Sequence, residues 1–183
     1  MITEERAIIE TRNWITNVVV GCNFCPFAAR ELKLDTIHYR VEGSAKPALI
    51  LQAFLEECMR LDANPQIETT LVIITGAYQK FESYLDLVEL AEKLLKKEKY
   101  EGVYQVASFH PEYRFAGAAP DDPANFTNRS IYPMLHLLRE ESIERVLKSF
   151  KDPDSIPERN IAFAKQKGFA AMEALRQACI TES

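Results

Sequence analysis

Glycine is scarce in this chain, with six residues in 183, and none of them falls in a phosphate-cradling pattern. Without a Walker or dinucleotide-binding glycine loop, nucleotide binding by those devices has no support. Long apolar runs are missing too. No stretch approaches the ~18 residues that a membrane span needs. The opening from Met1 to Arg12 is charged and lacks the apolar centre of a signal peptide. Positive charge is in deficit, with 22 Lys and Arg against 27 Asp and Glu, a formal net charge of −5. A nucleic-acid partner wants a basic face, whereas the cations here are scattered or interleaved with Glu, as from Lys93 to Glu101. The expected setting is therefore cytoplasmic, with neither membrane nor nucleic acid as partner. The four cysteines then read as free thiols.

What is present suits a single domain over residues 1–183. No linker, repeat or low-complexity tract interrupts it. A hydrophobic fraction of 47% in a chain this long can bury a core without disulfides or metal. Ile8, Thr11, Ile15, Val18 and Val19 share one face of a helix expected from Thr3 to Val20, with Thr3 as its cap. Gly21 is expected to end it in the left-handed conformation. A short helix follows from Pro26 to Leu32.

Strands and helices then alternate. Strands are predicted at Thr36–Glu42, Thr69–Thr75 and Val103–Phe109, the second an apolar run typical of burial on both faces. Apolar residues at helical spacing fill the intervals, Leu51 to Leu61 and Leu87 to Leu95. The expected fold class is α/β: a small three-stranded, mainly parallel sheet from βαβαβ units, with terminal helices packed around it. Three strands make a small sheet, so an antiparallel addition or a ferredoxin-like α+β variant is the alternative. Two helices are expected to close the chain. One starts near Ser130 and turns Ile143, Val146, Leu147 and Phe150 inward. The other starts near Ile156 and buries Ile161, Ala164, Gly168, Ala171, Met172, Leu175 and Cys179. Cys58 falls on an apolar helical face, as Cys179 does, and both read as core.

Between them lies an irregular stretch, His110 to Arg129, of about twenty residues with three prolines and one glycine. Loops that long are uncommon in compact domains unless functional or disordered. His110 follows the third strand, and ligands of open parallel sheets bind outside the carboxyl ends of the strands. His136, Arg139 and Glu140 would share one face of a helix, as an acid–base pair or as metal ligands. Arg129 and Arg139 suit a carboxylate or phosphate. Asp121, Asp122, Asn128 and Tyr113 complete the expected ligand-binding set. The plainer reading of each residue is an ion pair, a turn cap or an aromatic anchor.

Cys22-Asn-Phe-Cys25-Pro26 stays open at this level. Cys25 at the mouth of a short helix reads as a nucleophile, as a metal ligand with His110 and His136, or as a small buried residue.

Three motifs then stand out: Gly21-x-Asn23-x-Cys25-Pro-Phe, Phe109-His-Pro-x-Tyr113-x-Phe115, and Thr127-Asn-Arg-Ser-x-Tyr-Pro-x-Leu-His-Leu-Leu-Arg-Glu. They resemble a bacterial family of about this length catalogued only as a domain of unknown function. The resemblance implies that Cys25, His110, Asn128, Arg129, His136, Arg139 and Glu140 are marked positions. It implies no activity or cofactor. The first expectation is an enzyme acting on a small anionic metabolite, with His110, Cys25, His136 and Glu140 catalytic. The alternatives are a metal- or cofactor-binding protein using Cys25, His110 and His136, and a binding or regulatory module built on the 110–130 loop.

Overall fold

The computed structural model describes residues 2–148 and 152–181. Helix α1 spans Glu4–Trp14, and the Thr3 hydroxyl accepts from the Arg6 amide at 3.2 Å, as its cap position predicts. The helix then widens into a π-helical segment, Ile15–Val20, in which the Gly21 amide reaches back five residues to the Thr16 carbonyl at 3.0 Å. Gly21 does not take the expected left-handed conformation; its φ is −60°. Its missing side chain matters for a different reason. A Cβ there would lie 2.3 Å from the Asn17 carbonyl oxygen. The left-handed turn falls two residues later, at Asn23, with φ of 54°.

Helix α2 (Ala28–Leu34) leads to strand β1 (Ile37–Glu42), helix α3 (Pro47–Ala63) and strand β2 (Thr69–Ile74). Helix α4 (Phe81–Lys97) and strand β3 (Tyr104–Phe109) follow, then a 3-10 turn at Pro123–Thr127. The chain continues through strand β4 (Met134–Arg139) and helices α5 (Glu140–Leu147), α6 (Ser155–Lys167) and α7 (Phe169–Gln177).

The fold class is α/β, but the sheet has four strands in the order β1-β2-β4-β3, and only β1 and β2 are parallel neighbours. Strand β4 runs antiparallel between β2 and β3 and separates the two that were expected to pair. The mainly parallel three-stranded sheet and the ferredoxin-like variant are both corrected by this strand. Met-Leu-His-Leu-Leu-Arg consists largely of good helix formers, and six residues are too few for periodicity to tell strand from helix. Its slot decides: Leu135 and Leu137 are fully buried on one face and Met134 on the other.

Two cores sandwich the sheet. Helices α3 and α4 cover the face of Val72, Ile74, Leu135 and Leu137. On the other side, α1, the π segment, α6 and α7 cover Leu71, Ile73 and Met134. Cys58 and Cys179 are buried, as expected. The last predicted helix is two, broken at Gly168 with φ of 82°, so Gly168 is a hinge between helices and not a core position. Ala171 is exposed; Ala164 and Met172 are buried. Ile143, Val146 and Leu147 are half-buried on α5, and Phe150 lies outside the described residues. No described helix is long and apolar enough to cross a membrane.

Candidate functional site

The carboxyl ends of β1, β2 and β3 do share one edge, because Glu42 pairs with Ile74, and Ile73 and Phe109 both pair with Met134. His110 sits at that edge, as expected, yet its ring is fully engaged. The Glu112 amide donates to its Nδ1 at 2.9 Å, so Nε2 carries the proton and donates to the Tyr78 carbonyl at 2.8 Å. The ring packs against Tyr84 and Phe81, with centroids at 4.9 and 5.3 Å. Burial pushes its pKa down, against the Tyr78 hydrogen bond and the nearby Glu112. A neutral imidazole with both nitrogens bonded to backbone holds a turn; it offers no free base or ligand.

The long loop uses its polar groups in the same way. Arg129 is buried and donates to the carbonyls of Tyr113 (3.1 Å) and Pro120 (2.6 Å), with its guanidinium over the Phe126 ring. Asn125 is wholly buried and ties the Phe115 amide to the Ala119 carbonyl. Asp122 accepts from the Ala124 amide and lies 3.6 Å from Lys165. Asn128 donates to the Ser108 carbonyl at 3.3 Å, Tyr113 packs on Phe81 and Phe115, and Asp121 is exposed. The density of polar residues is therefore what satisfies the backbone of an irregular segment.

His136, Arg139 and Glu140 do not share a helix face. The first two belong to β4, where residues three apart point to opposite sides. Arg139 donates to the carbonyls of Leu61 (2.7 Å) and Ile67 (3.0 Å). Glu140 opens α5, its amide bonded to the Val103 carbonyl. Cys25 and His136 lie on one side of the sheet, whereas His110 packs against α4 on the other. Among the described residues, no group of three or more His, Cys, Asp or Glu side chains is arranged to hold a metal. The expected metal centre of Cys25, His110 and His136 is not assembled.

One pair from that expectation does share a cavity. Cys25 and His136 line the same cavity, about 260 Å³, between the sheet and the N-terminal helices. Its walls are mostly apolar, including Trp14, Phe27, Leu71 and Phe109. Ile15 and Val19 of the π segment face it, and π-helical turns recur at functional sites. Thr69 donates its single hydroxyl proton to the Leu137 carbonyl (2.6 Å), so at 2.8 Å its oxygen can only accept from His136 Nε2. That leaves Nδ1 unprotonated on a ring that lines the cavity, while burial pushes the imidazole pKa down to about 4. Burial raises the Cys25 thiol pKa and outweighs the lowering effect of the nearby Phe27 and Ala28 amides. Thiol and imidazole are both neutral near pH 7.

A family model described as a protein of unknown function, DUF1415, matches residues 6–174. The chain belongs to that family. No curated protein and no solved structure matches it. The match takes in α1 from Arg6 onward, the cavity and the 110–129 loop. Within it, Gly21 and Asn23 answer to backbone geometry, whereas Cys25 presents a thiol to the cavity.

Proposed function

We propose that this protein binds a compact, uncharged and largely apolar small molecule in the Cys25–His136 cavity, in a cytoplasmic setting where its thiols stay reduced. The observation that carries this reading is the free Nδ1 of His136, an acceptor set among apolar walls. It replaces the expectation of an anionic metabolite. Arg139, the one Lys or Arg at the cavity, turns its guanidinium to the opposite side of the sheet and commits it to the Leu61 and Ile67 carbonyls, whereas the acidic Glu31 and Glu68 line the cavity and disfavour an anion.

Phenol and anisole test it. They differ in one hydrogen-bond donor and fit a cavity of this size. Phenol is expected to perturb amide NMR signals of Leu71, Ala107 and His136, and anisole to bind at least fivefold more weakly. His136→Phe abolishes the difference, and Ala107→Phe, which fills the cavity, abolishes binding. Signals that ignore both probes at millimolar concentration overturn the reading.

The thiol on the same wall favours a second reading, an enzyme with Cys25 as nucleophile and His136 as base. The neutral state of both groups makes binding the stronger one, because no thiolate–imidazolium pair is formed at rest. Loss of turnover in Cys25→Ser, with phenol binding intact, would favour catalysis.

A further inference from the structure

A second cavity, about 300 Å³, lies against the first. Val19, Cys25 and Phe109 line both. The second is otherwise walled by apolar groups such as Phe24, Phe115 and Ile161, and no charged side chain lines it. Its polar residues are already engaged. Asn160 donates to the Phe24 carbonyl at 2.6 Å, Asn128 to the Ser108 carbonyl, and Thr127 to the Ala124 carbonyl at 3.0 Å. This chamber accepts hydrocarbon and offers little to a polar group.

We infer that the two cavities are one elongated site, taking a ligand with a hydrogen-bond-donating head at His136 and an unbranched apolar tail that passes Cys25 into the second chamber. The inference rests on the binding reading above and specifies its ligand class. Three features support it. The acceptor nitrogen of His136 lies in the first chamber, whereas the polar side chains of the second are engaged. The two chambers share three lining residues, Val19, Cys25 and Phe109. One of the three, Val19, stands on the π segment, where the widened turn displaces side chains from regular α positions.

The test is a chain-length series on the full chain: phenol, 4-ethylphenol and 4-butylphenol, by isothermal titration calorimetry. Affinity is expected to rise about three- to fourfold per added methylene, the increment for burying hydrocarbon. Ile161→Trp fills the second chamber alone; it is expected to flatten the series and leave phenol unchanged. Phenol binding with no gain along the series in wild type overturns the elongated site and leaves the single-cavity reading standing. Failure of every probe overturns both. A gain that survives Ile161→Trp sends the tail elsewhere and overturns the two-chamber assignment.

Discussion

Thr69 sets the tautomer of His136: with the hydroxyl proton held by the Leu137 carbonyl, the threonine oxygen can only receive the Nε2 proton. The consequence is a pH dependence. The folded imidazole titrates near 4, against 6.5 for the free side chain. Between those values the unfolded chain binds more protons, so stability is complete above about pH 6.5 and falls as pH drops toward 4. One such group contributes up to about 1.4 kcal/mol per pH unit in that window. Urea unfolding of wild type and His136→Gln at pH 7.5 and 5 checks it. Burial lowers the His110 and His38 pKa values as well, so some acid sensitivity remains in the variant. An unchanged slope in His136→Gln would count against the assignment.

Cys25 is the cysteine set apart by exposure. Cys22, Cys58 and Cys179 are 8%, 0% and 0% exposed, whereas Cys25 is half-buried against two cavities. Its raised pKa makes it slow, not inert. N-ethylmaleimide is expected to label Cys25 alone in the native protein, faster as pH rises from 7 to 9, with mass spectrometry locating the adduct. Saturating phenol should slow the reaction severalfold. Equal labelling of Cys22 would contradict the burial that separates them.

Much of the fold was legible where long patterns repeat. The face of Ile15, Val18 and Val19, the Thr3 cap and the apolar run of β2 all lie where spacing puts them. Strand β4 was not legible, since six residues of good helix formers carry no decisive period and only the slot between β2 and β3 makes them extended. The site was half legible for a related reason. Cys25 and His136 were picked as chemical residues, but their sharing a cavity depends on a strand insertion that no local signal announces. The polar loop misled because hydrogen-bonding residues that satisfy an irregular backbone look, in sequence, like residues awaiting a ligand. The cavity walls, Trp14, Phe27 and Leu71, carry no signal beyond apolarity.

Gly21 and Asn23 should respond in opposite ways to small substitutions. Gly21→Ala brings a methyl group against the Asn17 carbonyl, at 2.3 Å in the present geometry, and backbone must shift. A loss of about 1–3 kcal/mol is expected, the usual range for forced overpacking. Asn23 at φ of 54° gains freedom from strain as Gly, so Asn23→Gly should be neutral within about 0.5 kcal/mol. Thermal unfolding of both variants decides. A tolerated Gly21→Ala would mean that the π turn relaxes to regular α-helix without loss, and the phenol titration of that variant would then show whether the cavity survives.

Glu10 joins the two ends of the chain and gives the last prediction. Its carboxylate accepts from Arg6 at 2.8 Å, from the Thr181 amide at 2.9 Å and hydroxyl at 2.7 Å, and from the Tyr132 hydroxyl. Burial would raise its pKa, but the bonds from Tyr132, Arg6 and Thr181 outweigh it and hold the group below the usual carboxylate value. Four donors converge on it, so Glu10→Gln, with one acceptor oxygen and an amide that can only donate, leaves donors facing donors. A loss of about 2–4 kcal/mol is expected at pH 7. Tyr132→Phe removes a single donor and should cost about 1 kcal/mol. The sign with pH follows from the lowered pKa: the contribution is present above about 4.5 and disappears as pH falls through the folded value. Wild type and Glu10→Gln should therefore draw closer in stability as pH falls below about 4.5, as measured by urea unfolding across pH 3–7. A gap that stays constant from pH 7 down to pH 3 would assign the loss to packing around the carboxyl group and not to its charge.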